Sequence, residues 1–392
     1  MSNNHTARRL IAKRPSIMAG LVRLVQQLTR EGVDVVNLGP GIPDYGGPAF
    51  LLDAGATAIT GGANGYGNGW GDPDLRKAVA ARFQHHHSIG YDPEREVTIT
   101  AGASAALNAI MLAFVNPGER VIVFEPFFEN FAPQVTLAGG VPKFVSLKAP
   151  DWTLDEKAFA NAFSNKTKLL LLNTPNNPTG RVFSREELEI IAHYCLKHDV
   201  LVVSDEAYEP FTYGLAHVPI ATLPGMRDQV ITIGSISKVF NVSGWRVGDV
   251  LAAPHLTDAI RAVNDLSLGA PTPLQKACVT AMQGGHYDAF VQSVRADHID
   301  LRDALCDALR STGWQFRLPE GTFSVYAEAP AGYGDNSLEI CARLLDEKRI
   351  LAVPGASFTR PNRTSRYVRF CFARRKETIE QACLRLTAGG TT

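Results

Sequence analysis

The sequence predicts an α/β protein, with a mostly parallel sheet flanked by helices and a smaller α+β unit attached. Three observations lead there. Between about residues 95 and 255, strand-length apolar runs alternate with amphipathic helical patterns. The runs are rich in Val, Ile and Leu and bounded by Gly, Pro or charge, as strands covered on both faces should be. After about residue 285 the pattern changes to one long helical stretch followed by two separate strands.

The first 45 residues carry a helical pattern, IMAGLVRLVQQLTREG, and then a turn-rich stretch, LGPGIPDYGGP. DPDLRKAVAARFQ reads as a helix closed by the run His85-His86-His87, since partial positive charge suits C-terminal carbonyls. Seven strand candidates follow in order: EVTITAG, ERVIVFEP, VPKFVSL, KLLLLNTP, VLVVSDEAY, DQVITIGS and WRVGDVLAA. Among the crossovers, SREELEIIAHYCLKHD is the clearest helix, with Ser184 as N-cap and Glu187 three residues on. Helical crossovers join parallel strands, and the carboxyl ends of such strands gather the loops that carry chemistry. DAFVQSVRADHIDLRDALCDALRSTG repeats apolar residues every three or four positions and predicts a long helix. GTFSVYAEA and RYVRFCFA read as half-exposed strands. The expected division is an arm at 1–45 that joins the small domain, a large domain at 46–285 and a small C-terminal domain at 286–392.

The 392 residues suffice for two domains and a large core. Lys+Arg and Asp+Glu are balanced at 39 each, so no basic field attracts nucleic acid or anionic lipid. Cys195, Cys278, Cys306, Cys341, Cys371 and Cys383 are scattered without a CxxC pair, which predicts reduced thiols rather than disulfides or zinc. No stretch has the apolar core of a signal peptide or the length of a membrane span. A cytoplasmic protein with neither a nucleic-acid nor a membrane partner is expected.

Two motifs invite readings that their surroundings refuse. Gly67, Gly69 and Gly71 imitate a dinucleotide fingerprint, but the preceding ITGGANG is not a strand. The histidine run could bind metal, yet no second ligand cluster is visible in the sequence, so no metal is assigned.

Four other stretches fall where strands end. TAGASAAL, at 100–107, brings small residues to a helix start, where the N–H groups of Ala103 and Ser104 could hold a phosphate. NTPNNPTG, at 173–180, sets adjacent asparagines after a buried strand. SDEAY, at 204–208, ends another strand with Asp205 and Tyr208, and an acid there needs a cation or a protonated nitrogen. GSISKVFNVSGWRVGDV offers Ser235, Lys238 and Arg246. A lysine among small residues after a buried strand is placed to be desolvated, which disfavours its charge and makes its amine nucleophilic.

Together these are the parts of a pyridoxal phosphate site. Lys238 would bind the cofactor covalently, and Asp205 would keep its ring nitrogen protonated. Asn177 and Tyr208 would hydrogen-bond the ring oxygen. Arg246, Ser235 and the helix start at Ala103 and Ser104 would hold the phosphate. Phe128, just after ERVIVFEP, would stack on the ring.

In NNPTG, SDEAYE and SISK…GWRVG, taken in order and spacing, the chain resembles the class I aminotransferases of fold type I from about Leu10 to its C-terminus. EPFF, the NTPNNP run and RYVRFCF are most similar to the kynurenine aminotransferase/glutamine transaminase/methionine aminotransferase branch. The resemblance implies a seven-stranded sheet, pyridoxal 5'-phosphate, and amino transfer between an L-amino acid and a 2-oxo acid. It implies that Arg369 clamps the substrate α-carboxylate bidentately and that Gly41 lines the same pocket through its backbone. Tyr66 would reach the phosphate of a partner subunit, which implies a homodimer with shared active sites.

The chain also departs from that branch. Where its members tend to carry aromatic or histidine side chains around the substrate, this sequence has Met18, Ser104, Leu268 and Gly269. Asp249 stands where an aromatic or neutral residue is common, and a structural partner is expected for it. These departures predict a flexible aliphatic or sulfur-containing substrate, or a bulkier biosynthetic intermediate, rather than an aromatic one. Two other functions fit parts of the sequence. The same electron sink would serve β-elimination or another pyridoxal phosphate reaction. A sensor domain of a transcription regulator would need a DNA-binding module ahead of it, for which a resemblance starting near Leu10 leaves no room.

Overall fold

The computed structural model describes residues 16–388 together with Ala7. The start of the family-like stretch near Leu10 and the outermost part of the 1–45 arm lie outside the described residues.

The strands, in chain order, are β1 (Val36–Asn37), β2 (Val97–Thr100), β3 (Arg120–Glu125), β4 (Val141–Ser146), β5 (Thr167–Asn173) and β6 (Leu201–Asp205). They continue with β7 (Val230–Gly234), β8 (Gly248–Leu251), β9 (Ser324–Glu328), β10 (Ile350–Leu351), β11 (Val353–Pro354) and β12 (Tyr367–Cys371). The seven candidates of the central region are β2 to β8, and all join one sheet in the order β2-β8-β7-β6-β5-β3-β4. β8 runs antiparallel to both neighbours, and the remaining pairs are parallel.

Both faces of this sheet are covered except along the edge strand β4, where Val141 and Lys143 are exposed. Val123, Leu171, Val203, Ile233 and Val250 pack with Ala106 and Ile110 of the helix Ala103–Phe114. On the other face, Ile122, Leu170, Leu172 and Val202 meet Leu188 and Ile191 of the helix Arg185–Lys197. That helix opens with the expected capping box, the Ser184 and Glu187 side chains each bonding the other's backbone N–H. Val97, Ile99 and Leu251 are covered by Leu75, Val79 and Phe83 of the helix Pro73–His87. The three histidines form the last turn of this helix, and Ser88 closes it in the left-handed region at φ 56°.

The smaller unit is built around the antiparallel sheet β11-β12-β9. Its long helix spans His286–Ser311, starting two residues before the predicted stretch because Gly285, at φ 77°, forms the N-cap. β9 and β12 are buried almost throughout rather than half-exposed. One face, with Val325, Ala327, Val368 and Phe370, enters the core beneath the long helix. On the other face Tyr326 stacks on Tyr367 at 4.9 Å and meets Trp152 of the larger unit at 5.6 Å. Alternation along a strand signals exposure only when one face is wet, and here neither is. β1 pairs in parallel with β10, Val36 opposite Ile350. Among the described residues no helix is long and apolar enough to cross a membrane.

Candidate active site

The carboxyl ends of β2, β3, β5, β6 and β7 lie along one edge of the large sheet, and the predicted residues gather there. Lys238 follows β7 in a short helix, Ile236–Val239, and is half-buried. Its Nζ donates to the carbonyl of Gly41 at 2.8 Å. Burial lowers its pKa to about 8, Cys371 opposing the shift while Arg369 and Arg246 add to it. The amine is therefore free of its proton near neutral pH far more often than an exposed lysine.

Arg369 on β12 is 3 % exposed. Its Nη1 donates to Asn177 Oδ1 at 2.8 Å and its Nη2 to the carbonyl of Gly39 at 3.3 Å. Its Nε has no hydrogen-bond partner, and the guanidinium lies over the Phe358 ring at 5.0 Å. No carboxylate among the described residues forms an ion pair with it. A buried cation left in this state is costly, and an anion placed against it recovers the cost. Gly41 faces the same guanidinium, since a Cβ on it would lie 3.8 Å from Nη2. Asn177 is held in turn by Asn173, whose Oδ1 accepts its N–H at 2.8 Å and whose Nδ2 donates to Asp205 O at 2.9 Å.

The turn at 205–209 has two sides. Asp205 shares a face with Val203, toward the helix Ala103–Phe114, because side chains alternate along a strand. Burial pushes its carboxyl up to about 6; the Ala207 N–H and Lys238 oppose this and Glu206 adds to it. Tyr208 is buried against Phe323, and burial raises its hydroxyl pKa, so it remains a donor. Glu206 and Glu209 turn the other way. Glu206 accepts from Ser204 Oγ and lies 2.8 Å from His217 Nε2. Glu209 receives Arg82 Nη1 at 2.5 Å and lies 2.8 Å from His87 Nε2. Burial alone would raise the Glu209 carboxyl, yet Arg82 and His87 hold it well below the usual range. The sequence reading missed this anchorage, although acids at 206 and 209, one step behind 205 and 208, were its signal.

A cradle for an anion lies beside them. The helix Ala103–Phe114 starts at Gly102, φ 81°, and no side chain caps it. Its first N–H groups are those that an anion would satisfy. Arg246, at φ 57°, donates to Ser243 O at 3.0 Å and Ala101 O at 3.4 Å. A Cβ at residue 102 would overlap its guanidinium, so only glycine lets the arginine lie there. Ser235 is buried at the end of β7, and Phe128 follows β3, packed edge-on against Phe131. An uncapped helix start with an arginine, a desolvated amine and an acid pushed up to about 6 fit a phosphate, an aldehyde and a protonated ring nitrogen. The residues present match pyridoxal phosphate.

Other predicted residues lie elsewhere. Tyr66 is 91 % exposed and Leu268 58 %, on a surface where Gly69 and Gly269 approach closely and Thr272 bonds Gly65 O. Within one chain none of them meets Lys238. Met18 is partly buried and its N–H donates to Glu129 at 3.4 Å, beside Phe128. Ser104 offers its carbonyl to Gln134. Asp249 is 1 % exposed and its Oδ2 forms no hydrogen bond; the nearby charge of Arg82 only partly offsets its burial. His85 and His86 are joined by Asp288, their donor atoms within 4.8 Å of one another, a neighbour that the sequence did not disclose.

The sheet order, the crossovers and a lysine at the carboxyl edge define a fold-type I pyridoxal phosphate enzyme. Residues 33–386 match the family profile "Aminotransferase class I and II", and the chain belongs to that family. It is similar to the N-succinyldiaminopimelate aminotransferase structure from Mycobacterium tuberculosis, with a TM-score of 0.92, 36 % identity, and coverage of 97 % of this chain and 99 % of that one. Kynurenine–oxoglutarate transaminase 1 of Mus musculus is 36 % identical over 388 residues, 90 % of this chain and 91 % of that protein. YbdL of Escherichia coli, whose structure and reactivity identify a methionine aminotransferase function, superposes with a TM-score of 0.90 at 29 % identity, covering 97 % and 98 %. The protein is a pyridoxal phosphate-dependent aminotransferase of that branch, transferring an amino group between an amino acid and a 2-oxo acid.

Proposed function

We propose that the donor is a flexible aliphatic or sulfur-containing L-amino acid, or a bulkier biosynthetic intermediate, and not an aromatic one. The observation that carries the reading of the site is Arg369, a buried guanidinium with a free Nε and no carboxylate of its own. It contacts the same 39–41 segment as Lys238. A substrate α-carboxylate would supply the missing anion.

Bound at this edge, pyridoxal phosphate supplies an electron sink for the pair left at the substrate Cα. Lys238 would be the base that takes the substrate Cα proton and later gives it back. Asp205 would hold the proton on the ring nitrogen. Asn177 Oδ1 is engaged by Arg369, which leaves its Nδ2 to donate, with Tyr208, toward the ring oxygen. Arg246, Ser235, Ala103 and Ser104 would fix the phosphate, and Phe128 one ring face.

The substrate reading rests on the pocket rather than on likeness, because kynurenine and N-succinyldiaminopimelate enzymes are equally similar to this chain. An aromatic substrate is held by aromatic walls, each stack contributing about 0.5–1.5 kcal/mol beyond its area. Met18 and Ser104 offer none, nor do Leu268 and Gly269, which share the Tyr66 surface and would line the partner subunit's pocket. Exposed Tyr66, Leu266 and Leu268 support a second copy on that surface, in a homodimer with Tyr66 reaching the partner's phosphate. Balanced charge and free cysteines support a cytoplasmic setting. A screen of L-amino acids against the holoenzyme, following the cofactor absorbance, tests the reading. Kynurenine or phenylalanine emerging as the fastest donor would overturn it.

A further inference from the structure

Half-buried Tyr45 and the buried His298 and Tyr213 form a hydrogen-bonded chain behind the carboxylate pocket. His298, on the helix His286–Ser311, is 0 % exposed. Its Nε2 lies 2.7 Å from the Tyr45 hydroxyl and its Nδ1 3.2 Å from the Tyr213 hydroxyl. The Tyr213 hydroxyl donates to the carbonyl of Thr322 at 2.6 Å.

These contacts assign every proton. Tyr213 gives its only proton to Thr322, so toward His298 it can only accept, and the ring proton sits on Nδ1. Nε2 is then an acceptor, and Tyr45 must be its donor. A neutral ring is required, and burial, which holds the imidazole down at about 3, keeps it neutral.

Tyr45 ends the loop that the cations of the site read. Arg369 takes the carbonyl of Gly39, and Lys238 that of Gly41 at 2.8 Å. Arg374 takes those of Pro40 and Ile42 at 2.7 and 2.8 Å. The Tyr45 carbonyl itself accepts from Asn241, three residues after Lys238. Its side chain pins the loop on the inside, while Asp44 ties the outside to Arg375 N and Thr378 Oγ1. A sliding loop would strip His298 Nε2 of its donor in a dry interior, which is unfavourable. The register of Gly41 is therefore tied to a histidine on another element.

We propose that Tyr45 and His298 are positioning residues that hold the Gly41 loop against Lys238 and Arg369 and so set the affinity for the substrate carboxylate. The proposal rests on the reading of Gly41 and Arg369 as the carboxylate pocket.

Tyr45→Phe keeps the ring and removes only the hydroxyl, and His298→Leu removes the acceptor. Half-saturation of the holoenzyme by L-methionine and L-glutamate is read from the cofactor absorbance, alongside melting temperature. Each variant should raise half-saturation about fivefold or more for both amino acids, with the limiting rate within about twofold. The double variant should be no worse than His298→Leu alone, because one hydrogen bond is lost only once. Arg369→Gln separates the two readings. If it raises half-saturation while Tyr45→Phe shifts only the melting temperature, the pin is refuted and the pocket stands. If Arg369→Gln has no effect, the pocket reading falls, and the proposal with it. Additive effects of the two single changes would equally overturn the shared bond.

Discussion

The carboxylate of Glu206 sits 2.8 Å from Nε2 of His217, on the face of the sheet opposite its chain neighbour Asp205. Glu209 repeats the arrangement behind Tyr208 with Arg82 and His87. The two residues that would touch the cofactor are thus set by two that do not. Removing one partner of a buried pair costs about 3–5 kcal/mol, so Arg82→Met should lower stability by that order at pH 7. Glu209 has a depressed pKa, so its contribution is present above its unfolded value of 4.5 and lost as pH falls further. Denaturant melts should therefore show the gap between wild type and variant shrinking below that pH. A gap that is constant from pH 7 to 3 would contradict the assignment.

Asp205→Asn removes the acid that would stabilise the protonated ring nitrogen. The barrier should rise by about 3–5 kcal/mol, with cofactor still bound through Lys238 and the phosphate cradle. Single-turnover kinetics on the reconstituted variant check this. Near-normal turnover would mean that the ring nitrogen is not used as an acid.

Lys238→Ala should retain cofactor by its phosphate contacts but lose both turnover and the absorbance of the lysine-bound form. With the wild-type lysine lowered to about 8, covalent uptake of pyridoxal phosphate by the apoprotein should quicken with pH and level off above about that value. A rate still climbing at pH 10 would show an unshifted amine.

Asp249 behaves oppositely to Glu209. Its carboxyl is raised by burial from 3.8 to about 6, so the folded state binds its proton more tightly than the unfolded chain. Stability then falls as pH rises from about 4 to 6 and stays lower above that. Asp249→Asn should raise stability by up to about 3 kcal/mol at pH 8 and by much less at pH 4. Equal gains at both pH values would assign the effect to packing instead.

Tyr66→Phe should weaken retention of cofactor without changing the fold of one chain. Sedimentation of the wild type should give a dimer, and a fully active monomer would exclude shared sites.

Most of the central strands were legible because burial on both faces favours Val, Ile and Leu, whereas β4, the half-exposed edge strand, was legible from its length and its Gly, Pro and charged boundaries. The same physics hid β9 and β12, whose mixed composition suggests a wet face until Trp152 and Phe358 close over it. Lys238, Asp205, Asn177 and Arg246 were visible from their place at strand ends and from the family motifs. Arg82, His87 and His217 were not, because their pairing with Glu206 and Glu209 depends on elements far apart in the chain. Asp249 was noticed, but not its setting: it looks onto Gly234 and is reached by the charge of Arg82, on an element far away in the chain.

The pairing of β1 with β10 carries a consequence for synthesis. Val36 leaves the ribosome long before its strand partner Ile350. The large sheet, complete by Leu251, can assemble while translation continues. The loop that follows β1, with Gly41 and Tyr45, can meet Lys238, Asn241 and His298 as they are made, but gains Arg369 and Arg374 only later. The Gly41 loop can therefore meet Lys238 before Arg369 exists, so the nascent protein would pass through a stage with the lysine in place and its buried guanidinium neighbour still missing.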